Sequence, residues 1–473
     1  MTTEELPVFQ AQPYIDALRA ADLMRQNGKV RQVIGVLIES LGPNMAIGET
    51  CRISYRRNVE PVLAEVVGFR DNKVLIMPLG ELAGIGAGSD VVALGVPLEI
   101  GVTDQLLGRI LDGVGHPMDG KGRIFSERRC PVLAIPPSPL SRRRITEPIA
   151  LGIRAIDGLL TCGKGQRAGI FAGSGVGKST ILGMIARNTS ADVNVIALVG
   201  ERGKEVRDFI ERDLGEEGLR RSVVIVSTSD QPALVRIKAA FVAMTVAEYF
   251  RDQGLDVMFM MDSVTRFAMA QREVGLAIGE PTTTRGYTPS VFATLPKLLE
   301  RAGTSDRGTI TGLFAVLVDG DDMNEPVSDA VRSILDGHIV LSRRLATGGH
   351  FPSIEVLESI SRVEPAITTP EQRALARELR RLLAAARDAK DLIEIGAYVA
   401  GTNPTVDRAV ALSDFTEAFL CQDVRDVQPA ERSWSLLAAL LGDPAGARSS
   451  DGAGAGADGA GATASPASLG EVA

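Results

Sequence analysis

Nine consecutive residues, Ala172, Gly173, Ser174, Gly175, Val176, Gly177, Lys178, Ser179 and Thr180, lie between a short apolar run at 168–171 and a helical pattern at 181–186. Glycines spaced ahead of Lys-Ser at a strand-to-helix junction are what a phosphate cradle requires. The glycines let backbone N–H groups turn inward with no side chain in the way, so the amides face phosphate oxygens. Lys178 adds a compact positive charge near the β and γ phosphates, and the Ser179 hydroxyl is placed to ligate Mg²⁺. Ala172 stands where the generic pattern opens on glycine, and it is small enough to leave room. A glycine-rich turn with no nucleotide role is the alternative, and Lys-Ser at the helix start argues against it. The pattern predicts a nucleotide site.

Cleaving a terminal phosphate also needs a metal and an oriented water. The run 257–262, Val-Met-Phe-Met-Met-Asp, is an apolar strand ending in a carboxylate. Asp262 would hold Mg²⁺, directly or through water, at the carboxyl end of a strand, where open α/β sheets bind ligands. A second apolar strand, 195–199, runs into Gly200-Glu201-Arg202-Gly203. A carboxylate at that strand end, beside the cradle's strand, would polarise an attacking water. A surface Glu capping the following helix is the competing reading of Glu201.

These residues need a scaffold, and 473 residues suit about three domains at roughly 150 residues each. The hydrophobic share of 45% supports sizeable cores. No long apolar span or secretory signal is evident, which predicts a cytoplasmic protein. The net charge of −8 weakens nucleic acid as a main partner, because such binding needs a clustered basic surface. Short basic runs at 142–144 and 220–221 read as solvated loops. Four scattered cysteines (Cys51, Cys130, Cys162, Cys421) and three histidines (His116, His338, His350) show no metal-ligand spacing, which argues against zinc and against a disulfide framework.

Along the chain, Tyr14, Leu18, Ala21 and Met24 form an apolar stripe on a short helix ending near Gly28, packed on its own domain or docking a partner. Short β-rich runs at 33–38, 51–55, 62–69, 73–77 and 90–93, punctuated by turn residues, predict a small barrel or sandwich. A Gly/Asp-rich stretch, 108–122, is followed by a proline-rich crossing, 131–148, that reads as a wrap-around linker. Strands at 167–171, 194–199, 223–227, 257–261 and 313–318 alternate with helices around 178–186, 206–212 and 233–250. That alternation predicts an α/β parallel sheet covered on both faces. Beyond Pro370 the pattern is helical, clearest at 374–386 and 414–420. The Gly/Ala/Ser end, 443–473, is too poor in large apolar residues to fold. The expected division is an N-terminal helix at 1–28, a β-barrel at 29–97, an α/β P-loop core at 98–367, a helical domain at 368–442 and the tail.

Several stretches resemble the rotary-type RecA-like ATPases, the group containing the catalytic subunit of ATP synthase. Within it they resemble the ATPases of flagellar export and of type III secretion. They are FAGSGVGKST (171–180), GERGKEV (200–206), DLGEEGLRR (213–221), MDSVTRFAMAQREV (261–274), GEPTTTRGYTPS (279–290), VDGDDMNEP (318–326), DGHIVLSR (336–343) and LIEIGAYVAGTNPTVD (392–407). The match spans roughly residues 30 to 440. It implies a RecA-like core with an N-terminal barrel and a C-terminal helical domain. It further implies that Glu201 orients the water, with Arg202 its neighbour in the loop, and that Asp262 is the Walker B acid. Arg362 corresponds to the arginine finger that an adjacent subunit supplies. Phe351 corresponds to an aromatic position packed against adenine, although a core Phe remains open.

The resemblance thus implies a homohexamer hydrolysing Mg–ATP in the cytoplasm, peripheral to the inner membrane. Implied partners are a stator-like regulator at the N-terminal helix, a central stalk protein, an export gate and chaperone–substrate complexes. Flagellar export is the leading expectation, with the injectisome branch close behind and a proton-translocating rotary ATPase after it. A nucleic-acid translocase would need aromatics on its barrel, where Tyr55 and Phe69 are few, and a non-catalytic subunit would not need Glu201 with Lys178 and Asp262.

Overall fold

The computed structural model describes residues 11–12, 15, 27–55, 60–82, 84–318, 322–323 and 325–442. The stripe at Tyr14 to Met24 and the tail at 443–473 lie outside them. The first regular elements are strands β1 (Asn27–Ile34), β2 (Leu37–Leu41), β3 (Glu49–Ser54), β4 (Val62–Arg70), β5 (Lys73–Pro78) and β6 (Asp90–Pro97). They close a barrel in the order β1-β2-β5-β4-β3-β6, around Val30, Ile38, Ile53, Val66, Ile76 and Val91. Two expectations change here. Asn27 and Gly28 belong to β1 rather than to the end of a helix. The apolar run 33–38 is a hairpin, because Gly35 adopts φ 59 and reverses the chain between Ile34 and Leu37.

The Gly/Asp-rich stretch contributes structure, whereas the proline-rich crossing is regular only where it meets strands at 131 and 148. Strand β7 (Glu99–Val102) pairs with β9 (Arg128–Pro131), and between them β8 (Ile110–Asp112) joins the edge of the central sheet. A short ribbon, β10 (Pro148–Ile149) with β11 (Cys162–Gly163), precedes the central strands. These are β12 (Arg167–Ala172), β13 (Val193–Val199), β14 (Ser222–Ser227), β15 (Asp256–Asp262), β16 (Gly303–Thr304), β17 (Thr309–Leu317), β18 (Gly337–Leu341) and β19 (Ile360–Ser361). The nine-stranded sheet runs β19-β18-β12-β17-β15-β13-β14-β8, with β16 paired to β17, and all but β16 and β19 are parallel.

Alternate side chains of the buried strands feed two cores. Val195, Ala197 and Val199 pack with the helix Ala233–Asp252, whereas Ile196 and Leu198 pack on the opposite face with the helix Lys178–Asn188. The predicted helix at 206–212 is interrupted: an α turn at Gly203–Asp208 passes into a π turn at Phe209–Leu214 and then into Gly215–Arg220. Four helices, Pro370–Glu394, Pro404–Ala411, Ser413–Leu420 and Ala430–Gly442, follow the sheet. The first opens on a capping box, Thr369 with Gln372.

Three arginines of the basic runs act as structural clamps, while Arg144 and Arg220 are exposed, as a solvated run would have them. Arg142 donates to the Ala302 carbonyl, Arg143 to those of Ser305 and Arg307, and Arg221 to that of Thr189. Orphan carbonyls at loop ends attract guanidinium donors, and charge runs alone do not reveal that demand. Deeper still, the side chain of Arg301 is wholly buried and binds both Glu248 oxygens (2.9 and 2.6 Å) and the Val132 carbonyl (2.8 Å). Removing one partner of such a pair leaves a buried charge unpaired. Arg301→Met is therefore expected to lower the unfolding free energy by about 3–5 kcal/mol in urea denaturation. Adding Glu248→Leu should restore much of it, and a loss from Arg301→Met below about 1 kcal/mol would contradict the burial argument.

Candidate nucleotide site

Strand β12 ends at Ala172, the loop 173–177 turns above the sheet, and the helix Lys178–Asn188 begins at once. Gly177 caps that helix at φ 92, a left-handed conformation that a side chain would strain. The loop is pinned from outside: Ser353 Oγ donates to the Val176 carbonyl at 2.7 Å, and Val318 N donates to the Ala172 carbonyl at 3.0 Å. A cavity of about 440 Å³ opens above it, lined by the loop and by Lys178, Ser179, Thr180, Glu201, Arg202 and Arg266. Two larger cavities, of about 650 and 660 Å³, lie beside the C-terminal helices. Phosphate chemistry belongs to the smaller one, because it alone of the three is lined by the glycine loop and the lysine.

Lys178, Glu201 and Asp262 meet in three dimensions. The Lys178 ammonium touches Asp262 Oδ1 and lies 3.9 Å from Glu201 Oε1. The side chains are 11%, 13% and 6% exposed, so Glu201 is no surface cap. Burial pushes the Glu201 carboxyl up to about 7, the Asp262 charge pushes the same way, and Lys178 opposes both. Glu201 Oε1 has no hydrogen-bond partner among the described residues. One expectation about how this comes together is corrected. The strand leading to Glu201, β13, is not beside β12; β17 and β15 stand between them. The contact forms because Asp262 ends the intervening β15 and the long Lys178 side chain reaches across.

Sequence reading missed Arg266. It lies on the helix Val264–Ile278, faces the same cavity, and its buried Nε has no hydrogen-bond partner among the described residues. Gly200 admits it: a Cβ there would stand 2.7 Å from Arg266 Cβ. The available signal was the short step of four residues from Asp262, one helical turn past a strand end.

The remaining predicted residues are spread around the cavity. Arg202 is exposed and pairs loosely with Glu205 (3.5 Å). Phe351 is 47% exposed, which removes the core reading, and Gly177 lies against its ring edge. Arg362 is exposed and is not among the residues lining the cavity. It follows Ser361, which pairs with Gly337 at the start of β18, whereas Ala172 pairs with Leu341 at that strand's other end. Four residues of strand, about 13 Å, thus separate Arg362 from the level of its own cradle. Ser179 at the helix start and Asp262 at the strand end are hard oxygen donors of the kind Mg²⁺ takes. The cation-on-carboxylate contact and the orphaned Glu201 oxygen fit a site built for a metal-bound polyphosphate.

Three family models match the chain. Residues 30–95 match the ATP synthase alpha/beta family β-barrel domain, 152–361 its nucleotide-binding domain, and 368–439 the type III secretion EscN ATPase C-terminal domain. The flagellum-specific ATP synthase of Bacillus subtilis is 53% identical over 438 residues, covering 92% of this chain and 100% of that one. The type 3 secretion system ATPase of Xanthomonas euvesicatoria is 47% identical over 419 residues, covering 89% and 95%. Assembled EscN of the enteropathogenic E. coli type III secretion system superposes with TM-score 0.83 at 45% identity, covering 88% of this chain and 100% of that one. EscN in complex with its central stalk EscO gives 0.82.

Proposed function

The chain belongs to the ATP synthase alpha/beta family, among its flagellar and type III secretion ATPases, and from that premise we propose that it hydrolyses Mg–ATP as a homohexameric ring that drives flagellar protein export. That it is an ATPase follows from the family. The observation that carries the rest is the split site: Lys178, Glu201 and Asp262 converge on one cradle, and Arg362 stands at the other end of the strands. A site completed by a neighbour's arginine makes the ring part of the chemistry.

In this reading the loop amides of Gly173, Ser174, Gly175, Val176 and Gly177, with Thr180 behind them, hold the phosphates, and Phe351 packs on adenine. Ser179 and Asp262 would hold Mg²⁺, which supplies charge neutralisation across the β and γ phosphates. Glu201 orients a water for in-line attack on the γ-phosphorus and accepts its proton, giving ADP and phosphate without a phosphorylated enzyme. A carboxyl raised to about 7 by burial suits a base working near neutral pH. Arg202 steadies the same loop. Arg362 of the adjacent copy, with Arg266 and Lys178 of this one, offsets the charge that spreads onto the γ-phosphate oxygens.

Relatives of both branches stand at 47% identity, and the flagellar reading is put first on the two flagellar relatives at 53% and 50%. The EscN-type C-terminal domain and the likeness to assembled EscN support an injectisome role as the second reading, and a proton-translocating rotary ATPase stands behind both. A central stalk, as in the EscN–EscO complex, is the partner with structural support. Chaperone–substrate complexes, an export gate and a stator-like regulator complete the proposed set. No described helix is long and apolar enough to cross a membrane. The proposed place of the ring is the cytoplasm, peripheral to the inner membrane. Mg–ATP turnover by the purified chain is expected to rise steeply per chain as protein concentration increases. Flat, negligible turnover at every concentration, with nucleotide still bound, would instead favour a subunit that takes its arginine from a different protein.

A further inference from the structure

His350, Glu417 and Cys421 come together where the loop carrying Phe351 passes under the C-terminal helices. His350 is 7% exposed, and its Nδ1 lies 2.8 Å from Glu417 Oε1. Cys421 Sγ lies 3.4 Å from that same oxygen. One nitrogen, one oxygen and one sulfur thus fall within 4.8 Å of one another. The backbone holds them there. His350 N donates to the Leu345 carbonyl at 3.0 Å, and Cys421, the C-cap of the helix Ser413–Leu420, donates its own N–H to the Glu417 carbonyl. Gln422 N then donates to the Phe351 carbonyl at 2.9 Å, locking the two segments together.

We propose that these three side chains form a binding site for a thiophilic divalent cation of the zinc class. Imidazole, thiolate and carboxylate are the donors zinc takes, and three protein ligands leave a fourth position for water. Tetrahedral bonds of 2.0–2.3 Å place ligand atoms about 3.3–3.7 Å apart; the sulfur–oxygen pair already stands at 3.4 Å, and the nitrogen–oxygen pair, at 2.8 Å, opens as the ion replaces its hydrogen bond. A His–Glu hydrogen bond alone would explain two of the three residues. The thiol donates to the same oxygen, so sulfur, oxygen and nitrogen share one focus, and the thiolate formed on losing that proton selects zinc-like ions over Mg²⁺. The helix C-terminus adds partial negative charge at the site. Glu417 has a side chain 60% exposed, and with His350 it borders the cavity of about 650 Å³ that gives access. Binding exchanges the Cys421 proton for the metal and ties the last helices to the segment that places Phe351 beside Gly177.

The test uses the full chain stripped of metal and titrated with Co²⁺, whose spectrum reports its ligands. One Co²⁺ per chain is expected, with a thiolate-to-cobalt charge-transfer band and tetrahedral visible bands that Zn²⁺ abolishes by displacement. Cys421→Ser should lose the charge-transfer band and weaken Zn²⁺ binding at least about tenfold, since even outer-shell losses cost 10–100-fold. Zn²⁺ should raise the melting midpoint of the parent chain and not that of Cys421→Ser. His350→Gln should weaken binding likewise, and if it fails to fold, Cys421→Ser at its partly exposed cap position decides alone, with circular dichroism verifying its fold. Substoichiometric Co²⁺, or a band and affinity that Cys421→Ser leaves unchanged, overturns the site.

Discussion

Glu201→Gln is expected to retain Mg–ATP binding and to lose hydrolysis by a factor on the order of 10²–10⁴, the contribution a positioned base makes. The substitution keeps volume and polarity, so the packing around a side chain 13% exposed is preserved. What it removes is the capacity to accept the proton of the attacking water. Binding should survive because the loop amides and Lys178, not Glu201, contact the phosphates in this reading. The pH profile gives a second readout. Glu201 must be ionised to act as a base, and burial holds its carboxyl at about 7, so kcat/KM should fall as pH drops below that value. The residual activity of Glu201→Gln should lack that acidic limb. Unchanged steady-state turnover would remove Glu201 from its role.

The second large effect concerns Arg362. Arg362→Ala should reduce turnover by about 10³–10⁵, the range a finger contributes in GTPases. The informative experiment mixes two inactive chains. In a mixed ring, an Arg362→Ala chain offers an intact Glu201 cradle, and a neighbouring Glu201→Gln chain offers an intact arginine, so some interfaces regain both. Recovery of activity is expected. An arginine acting within its own chain would give none, since the Arg362→Ala chains would lack it at every site. The strand geometry favours the first outcome, because Arg362, just past β19, stands opposite the start of β18, away from the level of Ala172.

Much of the sheet could be read directly from the chain because its strands are buried on both faces and announce themselves as apolar runs. The hairpin at Gly35 and the edge strand β8 were hidden for opposite reasons. In the first, one glycine breaks an otherwise continuous apolar run; in the second, three residues sit in a stretch whose glycines and aspartates signal turns. Arg142, Arg143 and Arg221 misled for a further reason: a basic run reads as solvated unless the carbonyls waiting for it are known.

The cradle at 172–180 is contiguous, so its chemistry is local: strand, glycine turn and helix start fold next to one another and need no distant partner. Asp262 was legible for a related reason, since an apolar strand delivers its last residue to the carboxyl edge of the sheet wherever that strand stands. Strand order is different. It depends on which helix faces pack together, and only the tertiary structure set β17 and β15 between the Lys178 and Glu201 strands while leaving their side chains 3.9 Å apart. The fold alone also brought Arg266 into the cavity, set Arg362 at the far end of β18, and gathered His350, Glu417 and Cys421 from segments whose spacing had argued against a metal. Sequence spacing encodes proximity only within a turn of helix or a strand pair; beyond that range, packing decides which side chains meet.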